Sequence, residues 1–181
     1  MNSESTFNGD VPAESVFVAV KALHGLHSQA GKSQVLMADI VQYVTGAEDP
    51  NQKVATAVKL DLRVRRQLQQ VLQHQRLSVA PAEALAQDAA EIEMRIGEGF
   101  RILFRPSRAD SNQIYVVLEL GKELEIQDGI DMLVIAQGEN DIARIQFTSI
   151  SGGRAQTILR ADSEPMKIIR NPNTTLNLLP I

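Results

Sequence analysis

Residues 91–105, EIEMRIGEGFRILFR, decide how the fold is read. Apolar and charged side chains alternate on either side of Gly97-Glu98-Gly99, which is the period of a strand. As a hairpin around a three-residue loop, the stretch sets Ile96 against Phe100, Met94 against Ile102 and Ile92 against Phe104. Those pairs form one apolar face, as cross-strand packing requires. The same register sets Arg95 opposite Arg101 and Glu91 opposite Arg105. Directly opposed like charges are unfavourable. They call for a neighbouring acid, for which Glu93 and Glu119 are placed, or for an acidic partner. Arg108 follows in the next loop and extends the patch. Arg95, Arg101, Arg105 and Arg108 are therefore the candidate partner-binding residues.

The alternation continues to the C-terminus. Strands are expected at 91–96, 100–105, 114–120, 130–136, 142–150, 154–160, 166–170 and 175–179, separated by turns such as QDG, GEND and SGG. Residues 130–136, IDMLVIA, are apolar on both faces. Such a strand is central in its sheet or is covered by another subunit.

Upstream of Ala90 the period is helical. In VPAESVFVAVKALHGLHSQ, residues 11–29, Val16, Phe17, Val20, Leu23, His24 and His27 recur at helical spacing, and Gly31 closes the helix. A second helix fits residues 33–46, with Leu36, Met37, Ile40, Val41 and Val44 as its stripe. Residues 53–76, KVATAVKLDLRVRRQLQQVLQHQR, fit either a strand or a helix at first. Their Gln-rich continuation and lack of a Gly or Pro favour one long helix. A short helix follows in PAEALAQDAA. The expected class is α+β: a flexible lead at 1–9, a helical domain at 10–90, and an antiparallel β-sandwich or small barrel at 91–181.

Several chemistries are set aside. Gly31-Lys32-Ser33 ends like a phosphate loop, but Gly25 and Gly31 enclose five residues, one more than that loop allows. Gly31 instead ends one helix and Ser33 caps the next, so no nucleotide is expected. His24 and His27 share a helix face without a third ligand of matching spacing, so no metal or other cofactor is expected. There is no G-x-S-x-G, and His74 lies on a Gln-rich face. With no cysteine, thiolate catalysis and disulfides are excluded, and a cytoplasmic location is expected. No apolar run is long enough to span a bilayer, and the first ten residues do not resemble a secretory signal.

Net charge is -4, so wholesale phosphate binding lacks a basic footprint. Only 4 % of residues are aromatic and none is Trp, which argues against a stacking platform for single strands. Three helices over residues 14–76, the third carrying Lys53, Lys59, Arg63, Arg65 and Arg66, resemble a helix-turn-helix or winged-helix core. The resemblance implies that those five cations contact DNA phosphates. Glu48, Asp49 and Asp61 lie close by and dilute that charge. The favoured expectation is a non-enzymatic interaction or assembly protein that binds a protein partner or a second copy. The alternative is a DNA-binding regulator.

Overall fold

A computed structural model describes residues 35–46, 52–82 and 92–181, all within one compact unit, Val35–Ile181. The expected helices at 11–29 and in PAEALAQDAA, with His24, His27, Gly31 and Glu91, lie outside the described residues.

The class is α+β, with helices preceding most of the strands. Helices α1 (Met37–Thr45), α2 (Gln52–Leu60) and α3 (Leu62–Gln75) come first. Strands β1 (Ser78–Ala80), β2 (Met94–Gly97), β3 (Phe100–Pro106) and β4 (Gln113–Leu120) follow. Then come β5 (Met132–Gln137), β6 (Ile142–Phe147), β7 (Arg154–Arg160), helix α4 (Glu164–Arg170) and β8 (Thr175–Pro180). The strands form two antiparallel four-stranded sheets. The central sheet has the order β1-β8-β5-β6, and the outer sheet has the order β2-β3-β4-β7.

Alternation along each strand assigns the layers. Between the sheets lie Ile102, Phe104, Val116 and Leu118 from the outer sheet, against Met132, Val134, Ile145, Phe147 and Leu178 from the central one. The opposite face of the central sheet, through Leu133, Ile135, Ile142 and Leu179, packs on Ile40, Val44, Val58, Val64, Leu68 and Leu72 of the helices. Strand β5 thus lies centrally in its sheet, between β8 and β6, and is covered on both sides. The edges meet where Glu98 N–H donates to the carbonyl of Val79 (2.9 Å).

Four local expectations are corrected. Residues 53–76 form two helices, because Asp61 leaves the helical path and its carboxylate accepts from Arg63 N–H (2.8 Å) as an N-cap. The buried stripe of α1 is Ile40, Tyr43 and Val44, leaving Leu36, Met37 and Val41 exposed. Residues 166–170 are helical because Ser163 stands at the cap and Pro165 in the first turn, a start signal that outweighs the β-branched pair Ile168-Ile169. Ser78–Ala80 is a strand too short for alternation to reveal.

A further correction concerns the first hairpin. Its turn is two residues, Glu98-Gly99, with Gly99 at φ 70°, and Gly97 pairs with Phe100. The Phe100 ring lies over Gly97, in the space any Cβ there would fill. Arg95 therefore pairs with Ile102 and Ile96 with Arg101. A one-residue slip reverses every side chain of β2. Met94 and Ile96 face solvent, while Arg95 turns inward and is 2 % exposed. Its guanidinium donates to the carbonyls of Ile169 (3.2 Å), Asn171 (2.6 Å) and Thr174 (2.8 Å) and to Thr174 Oγ1 (3.3 Å). A cation is stabilised there because helix α4 ends at those carbonyls.

Two outcomes follow. Arg95→Met leaves buried carbonyls unserved and is expected to cost about 3 kcal/mol in denaturant unfolding, without a change of fold. A chain of residues 91–181 alone lacks β1 and uncovers Leu133, Ile135, Ile142 and Leu179. It is expected to aggregate, whereas residues 35–181 should unfold in one cooperative transition by circular dichroism.

Candidate protein-interaction face

The outward side of the outer sheet is built by the alternation that fills the core. Four rows cross it. Ile96, Arg101, Glu119 and Arg154 form the first, and Met94, Leu103, Val117 and Gln156 the second. Arg105, Tyr115 and Ile158 form the third, and Gln113 and Arg160 the fourth. No described element covers this side, and Ile96 and Ile158 stand 56 % and 50 % exposed. The inner part of the face, Leu103, Val117 and Tyr115, is aliphatic with one phenol, while Arg101 and Arg105 stand on inner strand β3 and Arg154 and Arg160 on edge strand β7.

Electrostatics separate the arginines. Glu119 is buried and accepts hydrogen bonds from both Arg154 Nη2 and Arg101 Nε. Arg154 first, and then Arg101, hold its carboxyl below the usual carboxylate range. Arg160 is closed on Asp162 by two hydrogen bonds of 3.1 Å. Arg105 and Arg108 are exposed and make no side-chain hydrogen bond or ion pair among the described residues. Arg105, Tyr115, Val117, Arg154 and Gln156 line a shallow concavity of about 640 Å³.

The four partner-binding candidates therefore divide. Arg101 and Arg105 share the face, Arg108 lies in the loop beyond β3, and Arg95 is inside the domain. Arg101 answers to Glu119 across one strand pair rather than to Arg95. Sequence reasoning missed Arg154, Tyr115 and Ile158. The alternation of RAQTILR, residues 154–160, was their available signal, but the order of strands across the sheet was not legible.

The helical cations are dispersed. Lys59 Nζ pairs with Glu164 (2.5 Å) and lies 3.8 Å from Asp141. Arg65 donates to the carbonyls of Val58 and Lys59 and to Asn140 Oδ1 (3.0 Å). Lys53, Arg63 and Arg66 are exposed. His74 Nδ1 lies 2.7 Å from the carbonyl of Gln70, a contact within its own helix. Among the described residues, no group of three or more His, Asp or Glu side chains forms a metal site, and no helix is long and apolar enough to cross a membrane.

Because the folded-state pKa of Glu119 is lowered, its stabilisation is present above the ordinary value of 4.5 and is lost as pH falls through the folded value. Glu119→Gln is expected to lower the melting temperature at neutral pH and to flatten the acid limb of stability below pH 4.5, as read from melting curves across pH. Comparison with protein-family models, curated proteins and solved structures returns no match.

Proposed function

We propose that this chain is a non-enzymatic interaction module whose outer sheet face docks an acidic segment of another protein. The observation that carries this reading is the uncovered face itself, with Leu103, Val117 and Tyr115 on its inner strands, Met94, Ile96 and Ile158 on its edge strands, and Arg101, Arg105 and Arg154 interspersed among them. Contiguous exposed apolar surface within a polar border marks interaction sites, and arginine and tyrosine are enriched there.

Charge selects the occupant. A second copy docked through the same face would set arginine against arginine, since two-fold contacts join identical patches. A nucleic acid would find Tyr115 as the face's one aromatic and an aliphatic centre in place of a stacking platform. An acidic segment with intervening apolar residues satisfies both parts of the face. Its carboxylates meet Arg105, which has no described side-chain partner, in the concavity beside the Arg154–Glu119 pair, and its apolar side chains lie on Val117 and Ile158. The helical surface offers DNA less, because Lys59 and Arg65 are engaged within the fold.

A fluorescent random copolymer of Glu and Tyr is a suitable probe. Saturable binding by anisotropy is expected, weakening as salt screens the charges. Arg105→Glu with Arg108→Glu should reduce affinity at least about tenfold with an unchanged melting temperature, because neither arginine has a described partner. Ile158→Asp should do the same. Absence of copolymer binding, or poly(U) bound as tightly, overturns the proposal.

A further inference from the structure

The helix-facing side of the central sheet is apolar along most of its length and then becomes polar. Leu133 and Ile135 of β5 and Leu179 of β8 meet the helices. At the next positions on that side stand Gln137, Asn177 and Thr175; Thr175 pairs with Gln137, and Asn177 with Ile135. Helix α3 answers with Gln69 and Gln73, and its C-cap residue Arg76 joins them. These six side chains, together with Asn173, wall a cavity of about 370 Å³ between α3 and the sheet, with Leu72 as an apolar patch. Small-ligand sites occupy roughly 300–1,000 Å³.

Two amides in this cavity are poorly served by the protein. Gln137 Nε2 is buried and has no hydrogen-bond partner among the described residues. Asn177, 3 % exposed, donates to the carbonyl of Ile135 at 3.4 Å and accepts from Arg76 at 3.5 Å. Both distances exceed the roughly 2.7–3.2 Å of a well-made N–H···O bond. Buried polar groups are ordinarily satisfied, and leaving one unmade is costly. Leucine at 137 would have continued the stripe of Leu133 and Ile135, so the amide costs stability that packing alone would not demand.

We infer that this cavity is a binding site for a small hydroxylated organic anion, a sugar acid or sugar phosphate. A primary amide offers a donor and an acceptor side by side, which a hydroxyl matches with its own acceptor and donor. Gln69, Gln73, Gln137, Asn173 and Asn177 present five such groups around one space. Arg76 is the one charged side chain among the described lining residues, and no carboxylate opposes it there. The anionic group goes to the exposed Arg76, and the hydroxyls go to the amides beneath. This site is independent of the outer sheet face.

The test is calorimetric titration of the full chain with D-glucuronate, D-glucose 6-phosphate and neutral D-glucose. At least one anionic probe is expected to bind one-to-one, with glucose at least about tenfold weaker. The better anion distinguishes carboxylate from phosphate. Gln137→Leu should abolish binding while keeping or raising the melting temperature. Gln73→Ala with Arg76→Ala, both exposed, in α3 and at its C-cap, should also abolish it, with the fold intact by circular dichroism. If neither anion binds, or if an anion binds both variants as tightly as the wild type, the inference is overturned.

Discussion

Everything described depends on strand β5 being buried on both faces. Met132 and Val134 face the outer sheet, while Leu133 and Ile135 face the helices. Burial of an aliphatic side chain contributes about 1.5–3 kcal/mol. A strand with no polar side is therefore stable only where two layers enclose it. The helices supply one layer and the outer sheet the other. Because the helices take the outward side of the central sheet, the uncovered face is that of the outer sheet, and there the arginines gather.

The same constraint explains how two sites of opposite character arise. A sheet covered by helices has a closed interior, so polar residues within it are costly and stand out, as Gln137 and Asn177 do. A sheet with one open side tolerates charge freely, and its informative residues are the apolar ones, Met94, Ile96 and Ile158. The helical cations follow a third logic. Lys59 and Arg65 are drawn to Glu164 and Asn140, which other elements bring beside them.

Much of the fold was legible in the sequence, because alternation and helical period are local signals. The β-rich C-terminal part and the helices before it followed from periodicity, and IDMLVIA announced a strand either central in its sheet or covered by another subunit; it is central. The candidate site was half legible. Arg101 and Arg105 were placed on an open face, but Arg95 was placed wrongly through a register error of one residue. Nothing in the alternation of 91–96 distinguishes a two-residue turn from a three-residue one. The deciding fact is the Phe100 ring lying over Gly97, which is a matter of packing. The arginines and apolar residues of β7 were hidden for a related reason. Alternation shows which residues share a face of one strand, but not which strands are neighbours.

Strand β8 lies between β1 and β5, and β1 precedes it by roughly a hundred residues, a separation typical of slow, non-local assembly. During synthesis the helices and β5 emerge with their apolar sides ready, yet the central sheet lacks its middle partner until Thr175–Pro180 leave the ribosome. Until then Leu133 and Ile135 pair along one edge only, and Ser78–Ala80 has no strand to join. The nascent chain is thus exposed to proteases and to aggregation until β8 is made. A product that ends before β8 cannot complete its central sheet, because β5 and β1 both lose their β8 partner.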